Sequence, residues 1–268
     1  MNIALAPMAL AQYRTKPDEL TYKNDVRTMM NRVRQIGYDA IETPVLPGFS
    51  REEFKALMEE AGLKVVTGAR APYPDIAGKD FTEKIADCKA LGALNVMVPC
   101  MPNLVLGNPV ELKKFIGNLN YAGKIFRDEG IHLSYHNHAV DFSKVGGRTI
   151  LEQIVEGTDE RYVSFEPDTH WIQAGGGHVI SWLKKLRGRM YIVHFKDYGI
   201  DQYSDHTFLE CTHKIFAEIG EGNLNWPGII KECHDQGIQW CAVEQDRVQR
   251  PGYEAAALSL KNLKAFGA

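Results

Sequence analysis

The feature that most constrains this chain is an eightfold alternation of strand-like and helix-like segments. Each strand-like stretch is short and apolar, and each is followed by a stretch with apolar residues at helical spacing. The predicted strands are Asn2–Ala6, Ala40–Thr43, Leu63–Thr67, Asn95–Pro99, His132–His138, Tyr162–Trp171, Tyr191–Asp197 and Ile238–Asp246. The predicted helices are Asn24–Gln35, Ser50–Ala61, Asp80–Leu91, Pro109–Glu129, Thr149–Glu156, Val179–Leu186, Trp226–Gln236 and Tyr253–Phe266.

These units predict a closed barrel. The strands begin roughly 25–45 residues apart, which is the length of a strand–helix unit. Eight such units in 268 residues are typical of a (β/α)₈ TIM barrel, an α/β fold. An open doubly wound sheet is the main alternative, but it would place a glycine-rich turn after the first strand, and Ala6–Gln12 contains no glycine. No linker or low-complexity segment divides the chain, so we expect one domain over residues 1–268.

Local signals mark one helix and one unusual loop. Ser50, with Glu53 three residues later, has the pattern of a capping box, and Gly62 follows the expected end of that helix. The longest predicted loop, from Tyr198 to about Asn225, contains His206 and His213. A loop of this length is often a lid or a binding loop, and the alternative is an insertion that packs on the rim.

Composition excludes several classes of protein. The net charge of −3 gives no basic footprint for nucleic acid, and no apolar run approaches the ~18 residues of a membrane span. The five cysteines are odd in number and contain no CxxC pair, which favours reduced thiols in a cytoplasmic protein. The apolar N-terminus lacks a leading basic region, so we interpret it as a strand and not as a signal peptide.

Polar side chains collect at the carboxyl ends of four predicted strands. Read with a period of two, one face of Tyr162–Trp171 carries three ionisable groups, and three other strands carry similar sets. These sets are Glu166, Asp168 and His170; Ser134, His136 and His138; His194 and Lys196; and Glu244 with Asp246. A buried strand gains nothing from such groups unless they are paired or bind something, so we expect them to converge on one site.

The residue types indicate a divalent metal. His136, Asp168, His194 and Glu244 offer two imidazoles and two carboxylates from four strands. This set suits Mn²⁺, which we expect first, or Co²⁺, Fe²⁺, Zn²⁺ or Mg²⁺, better than Ca²⁺, which prefers oxygen ligands only. The alternative is a purely structural polar network.

The segments YHNH, EPDTH, VHFKD and VEQD, in this order, resemble the sugar phosphate isomerase/epimerase superfamily of xylose isomerase-like barrels. The resemblance covers nearly the whole chain and is strongest to a YHNH-containing branch related to inosose dehydratases. In that superfamily a Glu, an Asp, a His and a Glu bind one divalent metal. The last three correspond to Asp168, His194 and Glu244, whereas His136 stands at the first position, with Asp141 as an alternative ligand.

The resemblance implies proton abstraction next to a carbonyl of a sugar, through an enediolate. We expect Glu244 as the general base, and His138 or His170 as the second acid/base group. Lys196 is predicted to hold a substrate or enolate oxygen; the alternative is a surface lysine paired with Asp197.

Three further side chains have weaker assignments. Glu42 and Trp171 are candidate substrate contacts, although core packing is an equal alternative for Trp171. Glu166 is expected to form a structural salt bridge, and Asn137 to bond backbone from the opposite strand face.

The predicted activity is therefore a metal-dependent sugar isomerase or epimerase, with a small-molecule sugar as partner and with homo-oligomerisation open. A lyase that eliminates a β-substituent from a keto sugar or 3-keto glycoside is the main alternative, because His136 replaces a carboxylate of the epimerase pattern. A DNA-repair endonuclease would need a three-metal cluster and a basic groove, which a net charge of −3 disfavours. A non-catalytic sugar-binding subunit is the remaining alternative.

Overall fold

The computed structural model describes residues 1–7, 10, 19–200, 214–248 and 250–268. The strands are β1 Asn2–Leu5, β2 Ala40–Ile41, β3 Lys64–Val65, β4 Ala69–Arg70, β5 Asn95–Val98, β6 His132–His136, β7 Lys144–Val145, β8 Arg148–Thr149, β9 Val163–Glu166, β10 Ile192–Phe195, β11 Asp197–Ile200, β12 Lys214–Ala217 and β13 Trp240–Val243. The helices are α1 Glu19–Ile36, α2 Arg51–Ala61, α3 Tyr73–Gly78, α4 Thr82–Leu91, α5 Pro109–Asp128, α6 Ile150–Gly157, α7 Thr169–Ala174, α8 Val179–Lys185, α9 Trp226–Asp235 and α10 Gly252–Ala265.

The strands close into the predicted TIM barrel. One parallel sheet has the order β10-β13-β1-β2-β3, and the other has the order β4-β5-β6-β9. Bridges from Phe165 to Met190 and from Asp168 to His194 join β9 to β10, and the chain itself connects the sheets between β3 and β4. The third predicted strand contains β3, and β4 follows just beyond its predicted end, so the two pieces share one of the eight strand positions of the barrel.

All eight predicted helices are present with shifted ends, and the local signals at α2 are confirmed. Ser50 Oγ accepts a hydrogen bond from the Glu53 N–H at 3.1 Å, and the Glu53 carboxylate accepts one from the Ser50 N–H at 2.8 Å. Gly62 ends the helix in the left-handed region, with a φ of 67°.

Several elements were not predicted. The short helices α3 and α7 and the antiparallel pairs β7–β8 and β11–β12 lie outside the eightfold pattern. The β11–β12 hairpin occupies both ends of the long loop that the sequence placed after the seventh strand. The centre of that loop, 201–213, with His206 and His213, lies outside the described residues, so its role as a lid stays a prediction.

Strands β6 and β9 end earlier than their period-two patterns. β6 ends at His136, and His138 begins a 3₁₀ turn. β9 ends at Glu166, Asp168 caps α7, and His170 is helical. The residues of one period-two pattern therefore lie on different elements.

The core has two parts. Most buried apolar side chains fill the layer between the strands and the helices, and a smaller cluster of Ala4, Ala6, Ala40, Val66, Ile192 and Ala242 lies on the strands themselves. In the strand register, His194 lies beside Ala242, which pairs with Ala4, which pairs with Ala40. These small side chains leave room in the barrel for the larger polar groups described below.

Two further observations concern membrane spans and cysteines among the described residues. No helix among them is both long and apolar enough to cross a bilayer. Cys88, Cys100, Cys233 and Cys241 are free thiols, as the sequence predicted.

Candidate metal centre

The four predicted ligands converge at the carboxyl end of the barrel. His136 ends β6, Asp168 follows β9, His194 lies on β10 and Glu244 follows β13. One donor atom from each side chain lies within 4.8 Å of the others, and all four residues are buried. The register of four parallel strands thus assembles two nitrogen and two oxygen donors, a set that fits a divalent transition metal.

Hydrogen bonds orient Asp168, whereas His136 has a free ring nitrogen. Asp168 Oδ1 accepts from the Trp171 N–H at 2.8 Å, and the Asp168 N–H donates to Asn137 Oδ1 at 3.0 Å. The second contact confirms the predicted backbone bond of Asn137. The His136 Nε2 atom lies 3.9 Å from Asp168 Oδ2, while its Nδ1 atom has no hydrogen-bond partner. A buried imidazole with a partnerless nitrogen is consistent with a ligand-binding role.

His194 is enclosed by carboxylates on both edges of its ring. Its Nδ1 atom lies 3.0 Å from Glu244 Oε2, and its Nε2 atom lies 2.5 Å from both Glu42 Oε2 and Glu166 Oε1. Burial alone would lower the pKa of His194, but these three carboxylates raise it well above its ordinary value. Burial and the neighbouring Glu42 raise the pKa of Glu166 to about 8. Burial alone would also raise the pKa of Glu42, but His194 lowers it, so Glu42 is the ionised partner of Nε2. Glu166 makes a buried structural contact with His194, as expected.

Lys196 is the central cation of the site. It is fully buried, and its Nζ atom lies 3.0 Å from Asp168 Oδ2, 2.6 Å from Glu244 Oε2 and 2.8 Å from Asp246 Oδ2. These carboxylates raise its pKa above the ordinary value although burial alone would lower it. The alternative of a surface lysine paired with Asp197 is wrong.

Asp197 instead anchors the end of the long loop. Its carboxylate accepts hydrogen bonds from the backbone N–H groups of Tyr198, Gly220, Gly222 and Leu224 and from Trp226 Nε1. A Cβ atom at Gly222 would overlap this carboxylate, so the turn needs a glycine there. Asp197 therefore fixes the base of the segment that follows β10.

Glu244 is held in its ionised form. Burial would raise its pKa, but Lys196 and His194 hold that pKa well below the ordinary value. An oxygen shared between Lys196 Nζ and His194 Nδ1 is a good metal ligand once those protons are displaced, but it is a weak base. The predicted role of Glu244 as base is thus less well supported than its role as ligand.

His138 and Trp171 form one wall beside the ligands. The His138 ring lies 4.9 Å from the His136 ring and 5.4 Å from the Trp171 ring, and His138 is half-buried. Its backbone N–H donates to Asp141 Oδ2 at 2.8 Å. Burial lowers the pKa of His138, so the imidazole is neutral near pH 7 and can accept a proton. Asp141 thus supports His138 and is not among the converging ligands.

His170 lies further along this wall. Its Nδ1 atom lies 2.7 Å from the Asp197 carbonyl oxygen, and its ring stacks on Phe216 at 4.3 Å. Burial lowers the pKa of His170 to about 4, so the ring is neutral at neutral pH. These contacts favour a wall residue, and its acid/base role stays a prediction.

Glu42 occupies a different place from the one predicted. We expected it to contact substrate in the pocket, but the structure buries its carboxylate against His194 Nε2, with 1% of the residue exposed. The physical reason is the tilt of the barrel strands, which brings the end of β2 across the lumen towards β10. Glu42 therefore contacts a predicted ligand and not the open side of the site.

Sequence reasoning also missed several carboxylates that contact Lys196 and His194. Asp246 was noted only as a polar residue at a strand end, yet it binds Lys196. Its position two residues after Glu244 was the available signal. The contacts of Glu42 and Glu166 with His194 depend on barrel register, and no sequence pattern reports that register directly.

A TIM barrel with buried histidines and carboxylates at the carboxyl ends of its strands defines a class of barrel proteins with a candidate metal site at that end. Residues 30–266 match the xylose isomerase-like TIM barrel family, and the chain belongs to that family.

Similarity to individual proteins is more distant. The chain is 31% identical over 157 residues to an inosose dehydratase of Bacillus anthracis, a match that covers 56% of this chain and 52% of that protein. The chain thus spans about half the length of the curated relatives it matches.

Solved structures confirm the fold. A sugar phosphate isomerase/epimerase from Parabacteroides distasonis has a TM-score of 0.78 at 21% identity, covering 98% of this chain and 96% of that one. The IOLI protein, solved with a bound zinc atom, has a TM-score of 0.72 at 15% identity, covering 99% of this chain and 98% of that one.

Proposed function

We propose that this protein is a metal-dependent enzyme that removes a proton next to the carbonyl group of a keto sugar or cyclitol. The observation that carries this proposal is the convergence of four buried donors, from four strands, within 4.8 Å of one another. Membership of a family of sugar-modifying barrels supports it. Isomerisation or epimerisation is the first outcome that we propose.

The donor chemistry fits one divalent cation, with Mn²⁺ as the first ion to test and Zn²⁺, Co²⁺ and Fe²⁺ after it. His136, Asp168, His194 and Glu244 would hold it. When bound, such a cation polarises a carbonyl oxygen and stabilises the negative charge that develops as a neighbouring C–H bond breaks.

Side chains around the metal ligands would supply the base, the positioning and the substrate contact. We propose His138 as the general base, because it is half-buried beside the ligands and its main chain is held by Asp141. Lys196 keeps Asp168 and Glu244 in place through its ion pairs. The Trp171 ring, packed against His138, provides an apolar face for a sugar ring.

Elimination is the second candidate outcome, and two observations favour it. His136 stands where a two-carboxylate epimerase has a Glu, so one acid/base carboxylate is missing. Curated relatives of the chain include inosose dehydratases of Bacillus anthracis and Mesomycoplasma hyopneumoniae. In elimination, His138 takes the proton from carbon and the electron pair forms a C=C bond. The C–O bond to the β-hydroxyl breaks, and the hydroxyl leaves as water after it accepts the proton that His138 took.

Deuterium exchange tests the shared step and separates the two outcomes. Metal-loaded protein is incubated in D₂O with keto sugars and inososes, and products are followed by NMR. Solvent deuterium at the carbon next to the carbonyl, without loss of a group, supports isomerisation or epimerisation; an unsaturated ketone supports elimination. His138→Gln should abolish both signals, whereas His234→Gln, at an exposed histidine on α9, should leave them unchanged. Full exchange in His138→Gln would remove His138 as the base.

A further inference from the structure

The two ring nitrogens of His194 face different surroundings. Nδ1 faces Glu244, which also shares Lys196 with Asp168, so this edge belongs to the candidate metal centre. Nε2 faces Glu42 and Glu166, each at 2.5 Å. Neither of these two carboxylates belongs to the set of four converging ligands.

The partners of Nε2 determine its proton. An ionised carboxylate has only acceptor oxygens, so a ring nitrogen at hydrogen-bond distance from one must carry the proton. A histidine that keeps its proton on Nε2 can bind a metal only through Nδ1. Carboxylates that hold the second nitrogen of a metal-binding histidine are a general means of fixing its tautomer and ring orientation.

The carboxylate pair is itself held in place by the barrel interior. Asn95 Nδ2 donates to Glu166 Oε2 at 3.1 Å and to Thr67 Oγ1 at 3.0 Å, and Asn95 Oδ1 accepts from the Ser134 hydroxyl at 2.6 Å. All these residues are buried. Side chains from β5, β6 and β9 thus fix one of the two carboxylates before any ligand binds.

We propose that Glu42 and Glu166 are positioning residues that keep the proton of His194 on Nε2 and make Nδ1 its metal-binding atom. This inference rests on the metal centre proposed above. It also assigns a purpose to the small residues Ala4, Ala40 and Ala242, which line the same part of the lumen and leave space for the two carboxylates.

A second metal held by Glu42, Glu166 and His194 Nε2 is the competing interpretation, since their donor atoms also lie within 4.8 Å of one another. That arrangement would need a fully deprotonated imidazole to bridge two ions. A proton on Nε2 satisfies the same atoms without that requirement, and the number of metal ions bound per chain separates the two.

Zinc binding to the metal-free protein provides the test, because Zn²⁺ is diamagnetic and permits NMR. Stoichiometry and affinity are measured for the parent, Glu42→Gln, Glu166→Gln and the double variant. Glu232→Gln, at a buried glutamate on α9 that is paired with Arg187, is the matched control. Since Glu42 makes the hydrogen bond to Nε2 and Glu166 lies at the same distance beside it, we expect a smaller loss in Glu166→Gln than in Glu42→Gln and a loss of about 10- to 100-fold in the double variant.

The tautomer is read directly from long-range ¹H–¹⁵N spectra of protein labelled with ¹⁵N-histidine, with His194 assigned by comparison with His194→Gln. We expect a proton on Nε2 and a zinc-shifted Nδ1 in the loaded parent. This measurement needs no variant of Glu42 or Glu166, so it decides the question even if the double variant does not fold.

Failure of the inference is distinguishable from failure of the proposed function. If the parent binds no zinc, the metal centre itself is wrong. If it binds one zinc through Nε2, or if the folded double variant binds zinc as tightly as the parent, only the inference is wrong. Two zinc ions per chain, one of them lost in the double variant, would establish the competing second site.

Discussion

Replacement of Lys196 by methionine tests the electrostatic account of the site. Methionine has a similar length and preserves packing near Trp171, whose ring centroid lies 5.4 Å from Lys196 Nζ. The substitution removes the one positive charge that contacts Asp168, Glu244 and Asp246 together. In the metal-free protein, at least two buried carboxylates then lose their counter-charge.

The expected cost follows from burial. Removing one partner of a buried ion pair typically costs about 3–5 kcal/mol, because the other charge stays desolvated. In a domain of this size, 1 kcal/mol shifts the unfolding midpoint by about 2–4 °C. We therefore expect metal-free Lys196→Met to unfold roughly 6–20 °C below the parent.

The difference in stability between the parent and Lys196→Met should depend on pH. Burial would raise the pKa of Glu244, but Lys196 and His194 hold it well below its ordinary value. This carboxylate thus stabilises the fold above its unfolded-state pKa of about 4.3, and the contribution is lost as the pH falls through the folded value. Without Lys196 that contribution shrinks, so the variant should show its full deficit from neutral pH down to about pH 4.3, and the deficit should decrease as the pH falls further.

The assay is denaturant and thermal unfolding of chelator-treated protein between about pH 3 and 8, so that it includes the range below about pH 4.3. Lys231→Met is the control, because Lys231 is an exposed lysine paired with Asp235 on α9 and should change stability by less than about 1 kcal/mol. A Lys196→Met variant as stable as this control at pH 7 would refute the reasoning.

Four further substitutions test local packing and hydrogen bonding. Gly123→Ala should lower the free energy of unfolding by about 1–3 kcal/mol, since its Cβ would lie 2.5 Å from the Tyr162 carbonyl oxygen. Gly117→Ala on the same helix is the control: its Cβ meets no atom within 4 Å, and it should stabilise the protein by about 0.5–1 kcal/mol. Asp197→Ala should lower the free energy of unfolding in urea by roughly 3 kcal/mol or more, because it leaves buried N–H donors without an acceptor. A loss below about 1 kcal/mol would argue against the anchoring role of Asp197. Ser50→Ala should lower stability by about 1 kcal/mol through loss of the helix cap, and an unchanged denaturation midpoint would contradict this.

Sequence reasoning reached the fold because its signals are local. Strand and helix periodicity, the capping box at Ser50 and the glycine at 62 all depend on neighbouring residues. The convergence of His136, Asp168, His194 and Glu244 was predictable for a related reason: in a barrel, all strand carboxyl ends meet on one face.

The other contacts of the site depend on how the strands are arranged in space. Lys196 was predicted to hold a substrate oxygen, with a surface lysine as the alternative, and its three ion pairs were missed. Sequence cannot show that Glu244 and Asp246 arrive from β13 on the same side of β10. Glu42 was placed in the pocket because strand tilt, which directs it to His194, is a property of the closed barrel. The period-two pattern also continued past the true end of β9, so His170 was grouped with Asp168 although it is helical.

The central claim is tested most directly by the metal content of the protein after loading with Mn²⁺ or Zn²⁺ and exhaustive dialysis, measured beside His136→Ala. The account predicts close to one equivalent per chain in the parent, and loss of that metal in the variant. If the His136→Ala variant still holds one equivalent of metal per chain, His136 is not a ligand. A parent that binds no metal would contradict the account and favour a non-catalytic sugar-binding protein.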